Sequence, residues 1–299
     1  MATLTTGQLE LPDHIIDPWL GKIQTGSTVA ALSNQEPLKF GSSKAFVFDI
    51  GEAEYVGEGA NKSGSTVTKK TQQVKPFKFQ KTVRWTDEVT YADEDYQLNV
   101  LNQILGLIQP ALSRALDFGV IHGINPATGA TDAAFTQKLS SATSVVTRAS
   151  GDKPYANLDA ADALVLANSY VPSDVALAPE LAALFSALRG VQSEQRLYPG
   201  FNLTTEPSQL DNHRASVSRT VDALGVAAAA TNLLGIVGDF SAIRWGVQRS
   251  IGLELIEYGD PDGGGDLKRN NQVAFRAEVI YGWGIADLAA FSLIKKAGE

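Results

Sequence analysis

Val74-Lys-Pro-Phe-Lys-Phe-Gln-Lys-Thr-Val-Arg-Trp85 alternates with a period of two: Phe77, Phe79, Val83 and Trp85 fall on one face, Lys78, Gln80, Thr82 and Arg84 on the other. That pattern is a strand, and its surroundings make it the return limb of a long hairpin. The outgoing limb starts at Glu52 and runs through Tyr55-Val-Gly-Glu-Gly-Ala-Asn-Lys62, and Ala60 to Thr66 is rich in turn residues. Between Gly59 and Thr86 every charged residue is basic: Lys62, Lys69, Lys70, Lys75, Lys78, Lys81 and Arg84. From Asp87 to Asp95 every one is acidic: Asp87, Glu88, Asp93, Glu94 and Asp95. A two-stranded ribbon alone is marginal in water, so this one needs a surface to lie on. The segregated charge points to another copy of the chain.

A long helix follows, with Asp93 as its expected N-cap and Glu94 and Asp95 complementing the helix dipole. Leu98, Leu101, Leu105, Ile108, Leu112, Leu116 and Val120 step by three and four, an apolar stripe roughly 40 Å long at 1.5 Å per residue. Pro110 removes the bond to residue 106, which is Gly106, so a bend is expected there, and Gly119 and Gly123 mark the end.

Outward from this pair, residues 1–44 read as an extended arm whose apolar residues, Trp19 foremost, must bury themselves on something else. Lys44 to Ile50 is a short strand. Residues 125–267 read as mixed α/β, with helices at 159–170 and 179–188, a strand at 174–178, further strands within 224–237 and 242–257, and a flexible loop at 260–266. Gln272 to Leu293 reads as a closing hairpin, with Gly282-Trp-Gly284 as a bulge or turn, packing beside the long helix. The fold class is α+β.

Composition narrows function. Of 299 residues, 44% are hydrophobic, enough for a sizeable core, and the formal charge of −8 argues against general nucleic-acid affinity. The absence of cysteine excludes disulfides and thiolate metal sites. No apolar run approaches the roughly 20 residues that cross a bilayer. Catalytic constellations are missing: His14, His122 and His213 lack metal-ligand spacing and read as surface or structural residues. Gly59 to Thr66 lacks the Lys of a phosphate loop. Asp260, Asp262 and Asp266 could hold a cation, though turn chemistry explains them equally, and Asp211-Asn-His213-Arg214 reads as a solvated loop. No cofactor is expected.

The order of parts resembles the major capsid protein of tailed bacteriophages, a fold shared with encapsulin shells and the herpesvirus capsid floor. The resemblance is carried by Leu11 to Trp19, Tyr55 to Lys62, the basic return limb and Ala115-Leu-Asp-Phe-Gly119, and by Asn125 to Gly129, Arg196 to Gly200, Gly238 to Trp245 and Gln272 to Phe291. It implies an N-terminal arm at 1–44, anchored by Trp19. Residues 45–124 would hold an extended loop at about 51–86 and a spine helix at about 93–122. An axial domain would occupy 125–267, and 268–299 would be strands returning to the peripheral domain. The function implied is self-assembly through pentamers and hexamers into an icosahedral or prolate shell around double-stranded DNA, held without sequence-specific contact. Assembly would take place in the host bacterial cytoplasm, with a portal protein, a separate scaffolding protein and a decoration protein as further partners. An encapsulin-like compartment is the alternative, and a soluble enzyme the remote one. Inter-subunit contact is expected from Lys62, Lys69, Lys70, Lys75, Phe77, Phe79 and Trp85 on the loop, meeting Asp87, Glu88, Asp93, Glu94 and Asp95.

Overall fold

The computed structural model describes residues 26–39, 41, 43–49, 53–64, 67–96, 103, 106–190 and 192–298. The alternating stretch forms part of strand β2 (Thr68–Thr86), which serves two neighbours in turn. Its first part pairs antiparallel with β1 (Ser43–Asp49), from Asp49 opposite Thr68 to Ser43 opposite Val74. Its second part pairs antiparallel with β9 (Gln272–Ile285), from Lys75 opposite Trp283 to Thr86 opposite Gln272. The outgoing limb of the hairpin is therefore 43–49, and not the segment beginning at Glu52. Residues 53–64 carry no strand, because Gly57, Gly59 and Gly64 weaken extended structure where Phe46, Val47 and Phe48 favour it. β8 (Ile243–Ile256) completes a four-stranded sheet in the order β1-β2-β9-β8.

Helix α2 (Asp87–Tyr96) starts where β2 stops, six residues before the expected cap at Asp93. Asp87 and Glu88 in its first turn already meet the exposed amide dipole, and Val89 and Ala92 bury its inner side. Leu98, Leu101 and Leu105 lie outside the described residues. Helix α3 (Ile108–Asp117) continues in a wider π turn, Phe118–His122, that ends at Gly123 with φ +66°. Pro110 sits in the first turn of α3, where its missing N–H leaves no helical bond unmade.

The second sheet has six strands in the order β3-β10-β7-β4-β6-β5: β3 (Ser144–Arg148), β4 (Asp174–Leu177), β5 (Ser208–Leu210), β6 (His213–Val217), β7 (Leu233–Gly238) and β10 (Phe291–Lys296). Its central strands β4 and β7 are buried throughout, which is why they read as continuous apolar runs rather than alternating ones. Helices α4 (Pro154–Ala167) and α5 (Pro179–Ala187) begin on proline at the first helical position. They bury Leu158, Ala161, Leu181 and Phe185 against Val175, Leu177 and Val237.

Two expectations fail here for one reason. Gly282-Trp-Gly284 is not a turn: β9 runs straight through it, and the chain then crosses by way of Leu288–Ala290 to β10 in the other sheet. β9 and β10 therefore form no hairpin, and the sheets do not divide at residue 267: β8 sits with β2, and β10 sits with β4 and β7. A single core spans the joint, with Phe79, Tyr281 and Trp283 from one sheet, Ile236, Phe291 and Leu293 from the other, and Val120 and Ile121 of the π turn between them.

The amino-terminal segment is woven into this joint. Helix α1 (Thr28–Leu32), capped by Ser27, packs Val29 and Leu32 into the core. Beyond it, Glu36 N–H donates to the Trp245 carbonyl at 2.8 Å, and Gly41 exchanges bonds of 3.0 and 2.8 Å with the Gln248 amide.

Candidate assembly surface

Segment 53–64 is irregular and almost wholly exposed: Tyr55, a large aromatic, is 93% exposed. A tight turn shapes its middle, with Ala60 N–H donating to the Gly57 carbonyl at 3.1 Å and Gly59 at φ +79°, the left-handed position a type II turn requires. That turn puts Glu58 at its apex. Lys62 and Lys75 are exposed, while Lys78 reaches Glu278 at 2.6 Å. Lys69 and Lys70 lie in β2, with side chains outside the described part, and Trp19 lies outside the described residues altogether.

The aromatic face of β2 belongs to the chain's own core, a correction to the expected contact with a neighbour. Phe79 and Trp85 are buried. Phe77 is half-buried, with its ring 4.2 Å from that of Trp283 and 4.9 Å from that of Phe135. Trp85 stacks on Phe275 at 5.0 Å and donates its indole N–H to Thr90 Oγ1 at 3.0 Å. The alternation that signals a buried face cannot say which chain buries it.

Of the acidic run, Glu88 is exposed, Asp87 and Asp93 are half-buried, and Glu94 and Asp95 lie in α2 with undescribed side chains. The Asp87 N–H donates to the Asn271 carbonyl at 2.9 Å, fixing the helix start to the β9 end of the sheet.

The groups with potential chemistry are largely engaged within the chain. Asp260 and Asp262 hold the Arg84 guanidinium: Nη2 lies 3.2 Å from Asp260 Oδ1 and bonds Asp262, and Nη1 donates to the Gly265 carbonyl at 3.0 Å and to Gln272 at 3.1 Å. Arg276 adds a bond to the Pro261 carbonyl, so the cation this loop binds is the protein's own. Asp211 to Arg214 is not a solvated loop: Asp211 and Asn212 make the turn of the β5–β6 hairpin, and His213 and Arg214 open β6. His213 is buried 3.0 Å from Asp162, and Arg214 joins Asp174 at 2.7 Å and the Leu32 carbonyl at 2.9 Å. His122 is buried against the Thr220 carbonyl at 2.9 Å, and burial lowers its pKa. His14 lies outside the described residues.

Among the described residues, a cleft of about 510 Å³ between α3 and strands β8 and β9 offers one carboxylate, Glu278, already paired with Lys78. The one phenol among its described lining residues, Tyr281, is pushed up to about 12 by burial and by Asp117, so those residues supply no acid–base pair near neutral pH.

Sequence reasoning missed Asp117. This fully buried carboxylate accepts from Thr28 N–H at 2.8 Å, Thr28 Oγ1 at 2.9 Å, Val29 N–H at 3.1 Å, Ser27 Oγ and Thr220 Oγ1. It locks the root of the amino-terminal segment to the joint between the sheets. Burial raises its pKa, against the opposing effect of those donors. An acid in the last turn of a helix, where the dipole disfavours it, was the available signal.

Comparison with known proteins places this arrangement. The family model described as "Phage capsid family" matches residues 7–296. A structure from Mycobacterium phage Ogopogo is 40% identical, covers 99% of this chain and 100% of its own, and superposes with a TM-score of 0.86. One from Gordonia phage Cozz is 28% identical over 98% of this chain and 93% of its own, with a TM-score of 0.79. The capsid of an empty GTA particle, 15% identical over 98% of this chain and 97% of its own, shares the fold at a TM-score of 0.59. No curated protein sequence matches.

Proposed function

Since the chain belongs to the phage capsid family and is a shell-forming capsid protein of the virion, we propose that it assembles as pentamers and hexamers in which segment 53–64 and the basic edge of β2 strap onto an adjacent copy. One observation carries this reading: Tyr55 stands 93% exposed on a segment with almost no cover from its own body. Lys62 and Lys75 on the strap face solvent, as does Glu88 at the start of α2, so opposite charges are available to orient neighbours. Because Phe79 and Trp85 are spent internally, the apolar part of the contact falls to Tyr55 and Val67, both exposed. Each exposed ion pair is weak, and the shell holds by repeating the contact many times.

In the same reading residues 1–44 are an arm, 87–122 the spine, and the six-stranded sheet the body that meets its copies around capsomer axes. The protein acts by assembly and not by turnover. The shell encloses double-stranded DNA without reading its sequence, consistent with a net charge of −8, and it forms in the bacterial cytoplasm with a portal protein and a separate scaffolding protein. A decoration protein is a further partner.

Deleting 60–64, or reversing Lys62 and Lys75 to Glu, should abolish particles in a sedimentation assay while leaving the subunit's melting transition in place. Normal particle yield from the deletion would sink the strap.

A further inference from the structure

A pocket of about 220 Å³ opens between β2 and α3, walled by Phe79, Leu112, Phe118 and Val226. Two cations line it: Lys81, which lies on the Phe79 side of β2 and is exposed, and Arg114 on α3. The Nη1 of Arg114 is buried and has no acceptor among the described residues. Arg84 and Arg148 each leave a buried Nε without an acceptor among the described residues, but their terminal nitrogens are engaged, Arg84 by two aspartates and Arg148 by the Asp152 carbonyl at 3.2 Å, whereas in Arg114 the orphan is a terminal nitrogen. Asp117, three residues along the helix from Arg114, has its oxygens engaged by five other donors. The site is built for a planar anion: a half-desolvated guanidinium in an apolar wall, with an ammonium at the mouth.

The chain also carries a carboxylate presented in the complementary way. Glu58 stands at the apex of the Gly57–Ala60 turn, exposed and without a partner among the described residues, three residues from Tyr55 on the segment proposed as a strap. We propose that the Lys81–Arg114 pocket is the receptor for Glu58 of a second copy of this chain. The proposal rests on the strap reading and adds the point at which the strap engages. A nucleic-acid phosphate is the competing oxyanion, but a chain of charge −8 disfavours a polyanion, and these apolar walls fit a single side chain better than a backbone.

The experiment compares Arg114→Glu, Glu58→Arg, the two combined, and the 60–64 deletion, scoring particle yield by sedimentation, DNA content of the particles and melting of the unassembled subunit. Each single reversal is expected to cut yield about tenfold, as loss of a desolvated charge pair does, and the double swap to restore it. Should Arg114→Glu fail to fold, Lys81→Glu at the exposed mouth takes its place, paired with Glu58→Arg. If the deletion stops assembly while folded Arg114→Glu builds normal shells, the pocket assignment is overturned and the strap survives. If the deletion assembles normally, the strap itself falls. Failure of the double swap to rescue removes Glu58 as the occupant. Normal shells that have lost only DNA would mark the pocket as a phosphate site and overturn the proposal.

Discussion

Gly246 and Gly282 stand opposite each other in the β8–β9 ladder, and the chain's own segment 36–38 lies in the slot they leave. A Cβ at Gly246 would come 2.0 Å from the Glu36 carbonyl oxygen, a backbone atom that cannot swing aside. At Gly282 the nearest atoms are ends of side chains: Gln248 Nε2 at 2.8 Å, and Leu38 Cδ1 and Val74 Cγ1 at 3.0 Å. Gly246→Ala should therefore cost about 1–3 kcal/mol and Gly282→Ala less. Urea unfolding of the unassembled subunit would rank them, and equal or reversed losses would contradict the slot.

Asp117→Ala strips the acceptor from two backbone N–H groups and three hydroxyls in a dry site. A loss of about 3 kcal/mol or more is expected, and Asp117→Asn should recover part of it, since one oxygen remains. Because the donors come from residues 27–29 and 220, hydrogen exchange at Thr28 and Val29 should accelerate more than at the centre of the six-stranded sheet. Uniform acceleration would mean that Asp117 does not act through this segment.

Arg84→Gln leaves Asp262, with a side chain 3% exposed, as an uncompensated charge. Breaking such a pair costs about 3–5 kcal/mol, whereas Arg84→Gln combined with Asp262→Asn should lose less. Since Arg84 is the cation held by Asp260 and Asp262, millimolar Ca²⁺ should leave the wild-type melting temperature unchanged. A calcium-dependent rise would restore a metal role to the loop.

His213 gives a pH signature. Burial alone would lower its pKa, but the hydrogen bond and charge of Asp162 on α4, with Asp211 in the turn and the Leu210 carbonyl, more than reverse that and leave it raised. The folded state therefore holds the proton more tightly than the unfolded one. The pair's contribution is complete below the ordinary value of about 6.5 and fades as pH climbs through the raised folded value. His122, lowered by burial, contributes in the opposite sense, losing stability as pH falls. Melting temperatures of wild type and Asp162→Asn should thus converge as pH rises from 6 towards 9. A constant gap between them would show that the His213 charge plays no part.

Much of this architecture was legible where a local pattern decides it. The alternation of 74–85 gave β2, and proline at the first helical position gave the Pro179–Ala187 helix. The short strand read at 174–178 is Asp174–Leu177, buried throughout. Partner choice was not legible. Phe79 and Trp85 would alternate identically whether covered by their own chain or by a neighbour, and Gly282-Trp-Gly284 carries turn residues that are used for close approach. The Asp260–Asp262 loop had the composition of an ion site, and its cation came from a strand 176 residues earlier in sequence. The Arg114 pocket had no local signature, since its two cations come from separate elements.

The crossing of the last strands bears on when this protein becomes competent. β9 lies between β2 and β8, and β10 lies between β3 and β7, so each sheet has an inner strand drawn from residues 272–296. Neither sheet can close while those residues are still inside the ribosome. A nascent chain, or one cut short by a few dozen residues, has two open sheets and no finished surface to offer its copies. Both sheets therefore depend on one late stretch of the chain, and a subunit lacking residues 272–296 should have no finished surface with which to join a shell.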